Sequence, residues 1–380
     1  MMHRTRKNML TEWWWTIDRP MLVALILLLF FGLVLSMAAS PAIAMKLNLD
    51  AFHFVKRHAF FVPVALAIMI GVTFLNPRRT RRLALFVLVC SLIGMVMTLL
   101  VGGSVKGAQR WISIAGFTMQ PSEFMKPAFV VIVAWLFAEN DRRPEIPGNL
   151  FSIVLFMIVV ALLVAQPDIG QTGLLAIVWS GLFFMAGMPI FWIFLLAGLG
   201  AGGLTMAYFF VPHVTGRINR FLDPASGDTF QVDTAMDAII RGGWLGVGPG
   251  EGMVKRTLPD SHTDFIFAVL AEEFGIIACM LLVSVYLFIV VRALKLALQT
   301  HDLFKRLAIS GLALLFGLQA VINIAVNLKL MPAKGMTLPF ISYGGSSLLS
   351  VALTMGFLLA LTRKRPEVGL EKRQFFKPYD

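Results

Sequence analysis

The sequence predicts an all-α integral membrane protein of about ten transmembrane helices, with a large extracytoplasmic loop between the seventh and the eighth. Three observations predict it. The 380 residues are 58% hydrophobic and only 14% charged, with a mean hydropathy of +0.80, more apolar surface than a soluble domain can hide. Apolar stretches of bilayer-crossing length recur along the chain. The connections between them are basic at alternate positions, which orients the whole array one way.

Residues 1–19 carry Arg4, Arg6, Lys7 and Arg19 around Trp13-Trp14-Trp15, the composition of a helix at an anionic membrane surface, and are expected on the cytoplasmic side. The first apolar segment, 20–44, ends in Ala42-Ile43-Ala44 like a signal peptide, but its run is long for that, so an uncleaved helix is expected. Further spans are expected at 59–75, 83–101, 122–138, 150–165, 169–186, 190–211, 265–291, 307–330 and 343–361. The inner connections then include 76–82, with four arginines, Asp141-Arg142-Arg143, residues 292–306 and the tail 363–380, all basic; only Gly187-Met188-Pro189 gives no vote. Both termini are expected in the cytoplasm, and 20–362 forms one polytopic domain.

The outer side receives 45–58, 102–120, 166–170, 212–263 and 331–342, and polar chemistry collects there. Within the long outer loop, 230–244 has the pattern of an amphipathic helix lying on the membrane. The glycine run that follows, 242–252, has no phosphate-loop lysine and reads as a flexible linker.

The net charge of +12 is grouped between spans and at the ends, which fits topology and not nucleic-acid binding. Cys90 and Cys279 lie in apolar segments without metal or redox spacing. The six histidines are scattered.

Candidate chemistry sits where outer loops enter spans. Ser261-His262-Thr263-Asp264 precedes a long apolar run; Ser261 and Asp264 have capping-box spacing, and an acid at a membrane boundary is equally a site candidate. Both readings stay open on spacing alone. Glu123 and Lys126 share a helix face just inside the bilayer and need each other, either as a structural pair or to position a neighbouring carboxylate. Lys106, Arg110 and Arg217, beside Trp111, put cations on the outer face against the usual bias, which suits a phosphate-bearing ligand. Chemistry here is expected to be acid/base catalysis by a carboxylate with cationic stabilisation.

Taken together, Lys106 to Trp111, Gln120-Pro121-Ser122-Glu123, Gln166-Pro167-Asp168, Phe221-Leu222-Asp223-Pro224, His262-Thr263-Asp264-Phe265-Ile266-Phe267 and Pro339 to Ser347 resemble the SEDS family (shape, elongation, division, sporulation), in family order over nearly the whole chain. Residues 330–339 are similar to its cell-division branch rather than its elongation branch. One departure is Asp260, where glutamate is common.

The resemblance implies a peptidoglycan glycosyltransferase that polymerises lipid II outside the cytoplasmic membrane, at the septum, with a class B penicillin-binding transpeptidase and other division-complex membrane proteins as partners. It implies that Asp264 is the essential residue. Glu123 and Lys126 are carried over as site residues, and Trp111, Gln120, His262, Thr263 and Ser342 as substrate-binding candidates within matching motifs. On this reading Asp264 takes the proton from the acceptor's 4-hydroxyl as that oxygen attacks C1 of the donor sugar. Undecaprenyl pyrophosphate leaves, its charge offset by Lys106, Arg110 and Arg217, with a divalent cation (Mg or Mn) as an optional helper. The alternatives are a lipid II flippase, which needs polar groups along the spans where few charges besides Glu123 and Lys126 occur, and a non-catalytic scaffold of the division complex.

Overall fold

A computed structural model describes residues 9–46, 48–101, 110–114, 117–210, 215–216, 218–219, 229–332 and 335–364. The first helices are α1 (Met9–Thr16), α2 (Arg19–Lys46), α3 (His53–Thr73) and α4 (Pro77–Val101). A short antiparallel hairpin follows, β1 (Ile112–Ile114) and β2 (Phe117–Met119), pairing Ser113 with Thr118. Then come α5 (Pro121–Arg142), α6 (Gly148–Ala165), α7 (Ile169–Met185) and α8 (Phe191–Phe210). In the outer loop lie α9 (Phe230–Gly242) and α10 (Val254–Thr257), and the chain closes with α11 (Ile266–Leu298), α12 (Leu303–Asn327) and α13 (Gly345–Thr362).

Each of the ten expected spans holds a helix. Eight are long and apolar enough to cross a membrane, and two shorter apolar stretches, Ile169–Met185 and Phe194–Phe210, complete the set among the described residues. Helix starts follow from local chemistry. Asp18 accepts the Met21 N–H at 3.0 Å, Asn76 the Arg79 N–H at 2.8 Å and Asp302 the Lys305 N–H at 3.1 Å. Pro77 and Pro121 open α4 and α5, where a missing N–H costs nothing. Helix α4 begins well before its apolar run and α11 continues well past its own, because Arg78 to Arg82 and Arg292 to Lys295 extend the helices into the interface with their long stems along apolar surface.

Helices α5 and α13 form the centre and are mostly buried, while α4, α6 and α8 present apolar side chains outward. In lipid that exposure carries no hydrophobic penalty, so close packing and internal polar bonds hold the bundle instead. Trp13 of α1 stacks on Phe74 and donates to Thr73 at 2.6 Å. Arg363 donates to Thr16 and to the Thr73 carbonyl, so the first and last described helices meet at the same end.

Three expectations for the outer half are corrected. The run 242–252 is no flexible linker. Helix α11 is broken at Gly275 (φ 75, ψ −179), and the run packs into the break: Val247 N–H and Gly248 N–H donate to the carbonyls of Glu272 and Glu273 at 2.9 and 3.1 Å, and Ile276 N–H donates to Gly243 O at 2.9 Å. Only glycine fits at 246, where an added Cβ would stand 2.1 Å from the Glu273 carbonyl oxygen. Interrupted backbone near the membrane needs such protein partners.

Charge inside the spans is also greater than expected. Glu272 and Glu273 are 0% and 1% exposed in α11. Glu272 accepts the Val254 and Lys255 N–H groups at 2.8 and 2.9 Å, capping α10, and Glu273 pairs with buried Lys255, which also donates to Ala38 O of α2 at 3.0 Å. Finally, the amphipathic helix is present as α9 but is not simply laid on the membrane. Its small face, Ala235 and Ala238, packs on Leu258, Phe265 and Ala268, leaving Phe230 and Ile240 outward.

Candidate active site

The even-numbered spans α3, α5, α7, α11 and α13 all begin at one end of the bundle, opposite the basic connections. The N-terminal ends of α3, α5, α11 and α13 border a cavity of about 300 Å³ lined by Arg57 and Phe61 of α3, Trp111, Thr118, Gln120 and Glu123 around the start of α5, Asp260, Thr263 and Asp264 before α11, and Gly335, Thr337, Tyr343, Gly344, Gly345 and Ser347 before and within α13. Unpaired N–H groups and the helix dipoles make this end favourable to anions. Arg57 is the cation among the described lining residues.

Asp264 stands at the entrance to α11, its N–H bonded to Asp260 O at 3.1 Å. Its main-chain carbonyl accepts two side-chain amides from α12, Asn323 at 2.9 Å and Asn327 at 3.0 Å. Asn327 also accepts the Ala268 N–H at 3.2 Å, and Asn323 donates to Met336 O at 2.6 Å. The capping-box reading of Ser261 is thereby corrected. Its hydroxyl is buried and takes no backbone N–H of α11, whose first turn is satisfied from α12 instead.

Glu123 and Lys126 pair at 2.9 Å, both buried. Gln171 donates to Glu123 at 2.6 Å, Ser350 donates to the Glu123 carbonyl at 2.6 Å, and Lys126 reaches Gln319 at 3.4 Å. Gln319 in turn donates to Thr337 O at 3.3 Å, a cavity residue. This polar chain ties the wall from behind, although the second oxygen of Glu123 and the Gln171 carbonyl oxygen take no hydrogen bond in it.

The expected site residues fall into three groups. Trp111, Gln120, Glu123, Thr263 and Asp264 line the cavity. Lys126, His262, Ser342 and Arg110 stand behind it. His262 packs against Phe54 and Tyr343 at 4.5 and 5.5 Å between ring centres. Ser342 donates to Thr263 O and accepts Leu338 N–H at 2.8 Å. Arg110 donates to Gln166 O at 2.9 Å and to Pro167 O, and lies 3.5 Å from Asp168. Burial pushes the Asp168 carboxyl above its ordinary range, and Arg110 opposes that shift. Lys106 and Arg217 lie outside the described residues.

Sequence reasoning missed Arg57, Tyr343 and the amides of α12. Burial pushes the Tyr343 phenol up, against the pull of the Arg57 charge nearby. Gln319, Asn323 and Asn327 did leave a signal: three amides at four-residue spacing in an apolar span, hence one polar stripe. Arg57 left none, because a cation at a span's edge looks like a topology determinant. No group of three His, Cys, Asp or Glu suited to hold a metal occurs among the described residues.

A sequence profile of the FtsW/RodA/SpoVE family, described as cell cycle proteins, matches residues 19–367. A probable peptidoglycan glycosyltransferase FtsW of Caulobacter vibrioides is 48% identical over 364 residues, covering 96% of this chain and 93% of that protein. One of the same description from Trichlorobacter lovleyi is 37% identical, covering 91% and 93%. Among solved structures, a chain from a study of structural coordination of polymerization and crosslinking by a peptidoglycan synthase complex superposes with a TM-score of 0.74 at 28% identity, covering 91% and 97%. The Thermus thermophilus rod shape determining protein RodA gives 0.69 at 27%, covering 93% and 99%.

Proposed function

The chain belongs to the FtsW/RodA/SpoVE family of cell cycle proteins, and from that premise we propose that it extends glycan strands by base catalysis at Asp264 within the cavity at the helix N-termini. It is a multi-pass membrane protein and a peptidoglycan glycosyltransferase of cell-wall synthesis. The observation that carries the mechanism is the placement of Asp264. Asp264 and Arg57 line one cavity at the helix N-termini, and the Asp264 carbonyl is held by two amides of a neighbouring span.

The substrate is lipid II. Asp264 accepts the proton of the acceptor's 4-hydroxyl while that oxygen attacks C1 of the donor muramic acid, and the C1–O bond to the diphosphate breaks. Undecaprenyl pyrophosphate leaves with the bonding pair. One displacement inverts the anomeric centre, so one base suffices. Arg57 and the converging helix N-termini offset the negative charge growing on the leaving diphosphate. Glu123, held by Lys126 and Gln171, keeps the opposite wall in place. Trp111, Gln120 and Thr263 supply the face on which the sugars lie.

The basic connections put Asp264 on the outer side and both termini in the cytoplasm. The partner is a class B penicillin-binding transpeptidase that crosslinks the product. The resemblance of residues 330–339 to the cell-division branch supports work at the septum, among other division-complex membrane proteins.

The deciding experiment is polymerisation of fluorescent lipid II by the purified chain, alone and with its transpeptidase. Asp264→Ala is expected to abolish strand synthesis while keeping complex formation, and wild-type rates from that variant would overturn the mechanism. Lipid II transfer across vesicles carrying the same variant separates polymerase from flippase.

A further inference from the structure

At the opposite end of the bundle from Asp264, a second cavity of about 460 Å³ opens between α4 and α5. Its walls bring together Arg78, Arg81 and Arg82 of α4 with Arg142 and Arg143 at the end of α5, above Trp135 and Leu85. Two of the five cations are engaged: Arg142 with Asp302 at 3.1 Å and Arg143 with Glu139 at 3.4 Å. Among the described residues Arg78, Arg81 and Arg82 form no ion pair within 4 Å; Glu139 is the one carboxylate in the lining, and it and Asp302 act on Arg81 from farther off, which leaves the five guanidiniums in excess. Topology alone asks for cations at this end but not for their convergence on a hollow.

The guanidinium of Arg81 lies between two rings, 5.4 Å from the centre of Trp135 and 5.3 Å from that of Phe304. Such stacking orders a planar fork before any ligand arrives, which favours bidentate binding of phosphate oxygens. The hollow also continues into lipid. Leu85, at its floor, begins a row with Val89 and Ile93 at four-residue spacing along α4, each about half exposed. A ligand with an anionic head and an acyl tail matches both parts, whereas a free phosphate uses only the upper one.

We propose that this cavity is a binding site for the phosphate-bearing head group of an anionic phospholipid, its acyl chain lying along Leu85, Val89 and Ile93. The site is separate from the glycosyl-transfer cavity and does not depend on the reading of Asp264. A head group here ties α4, whose far end leads into the hairpin beside Trp111, to α5, whose far end carries Glu123.

The test uses the full chain, delipidated in a neutral detergent and titrated with phosphatidylglycerol under native mass spectrometry. Phosphatidylethanolamine, glycerophosphate and inorganic phosphate form the comparison arms. Phosphatidylglycerol is expected to bind in preference to all three. The triple variant R78Q/R81Q/R82Q is expected to lose on the order of a hundredfold in affinity, about fivefold per arginine. A control variant, K295Q/K305Q/R306Q, removes as much charge from the same end outside the cavity and is expected to bind as wild type. Wild-type binding by R78Q/R81Q/R82Q, or equal loss in both triple variants, would overturn the site. Equal affinity for glycerophosphate or inorganic phosphate would overturn its assignment to a lipid.

Discussion

Asn327 brackets the first turn of α11, donating to the Asp264 carbonyl at 3.0 Å while accepting the Ala268 N–H at 3.2 Å. The backbone of the proposed base is thus held by a neighbouring span as well as by Asp260 of its own loop. Asn327→Leu removes one of the two amides on the Asp264 carbonyl and one of the two acceptors of the Ala268 N–H, which keep Asn323 and Phe265 O, a cost of about 1 kcal/mol. Strand synthesis is expected to fall by roughly tenfold to a hundredfold, in kcat rather than KM, because a small displacement of the base disturbs the reacting geometry more than binding. Lipid II kinetics on the folded variant check this, and an unchanged kcat would remove Asn327 from the positioning apparatus.

Asp264→Asn keeps the shape and removes the base. Its expected effect is a loss of about a hundredfold to ten-thousandfold in turnover with lipid II still bound. Equal loss of binding and turnover would make Asp264 a binding residue instead.

Arg57 and Asp264 line the same cavity. Arg57→Leu is expected to lower kcat/KM on the order of a hundredfold, and Arg57→Lys to recover part of it, since a point charge offsets the diphosphate without the planar fork. Binding of undecaprenyl pyrophosphate, measured directly, should weaken in parallel.

Lys255 and Glu273 form a buried pair at the break in α11. Lys255→Met strands a buried carboxylate and is expected to cost about 3–5 kcal/mol, visible as a lower melting temperature in detergent. Lys255→Met with Glu273→Leu should recover most of it, because no charge is then left alone. A double variant as unstable as the single one would show that the pair's geometry, not its charge balance, matters.

Burial raises the Asp168 carboxyl above its ordinary 3.8. The folded chain therefore keeps this proton to higher pH than the unfolded chain does. Stability is expected to fall as pH climbs from 3.8 through the raised folded value, and to level off beyond it. Asp168→Asn should flatten that part of the melting-temperature profile, and an unaltered slope would assign the pH dependence to other groups.

Much of this protein is legible in its sequence, for reasons that are local. Apolar runs of bilayer length locate the spans, and Asp18, Asn76, Asp302 and two prolines mark helix starts. The resemblance brought Asp264, Gln120, Glu123 and Trp111 forward, and the fold gathers all four around one cavity. Only tertiary structure could decide the rest. Arg110 looked free for substrate but is held by the turn at Gln166 to Asp168, and Arg57, from a different span, faces the cavity instead. The glycine run looked flexible because its partner, the break at Gly275, lies some thirty residues away. Ser261 had the spacing of a cap, yet Asn327 took that role across the bundle. Hydropathy and capping depend on neighbours in the chain, whereas a buried polar group is satisfied by whatever the fold brings within 3 Å, and sequence distance carries no record of that.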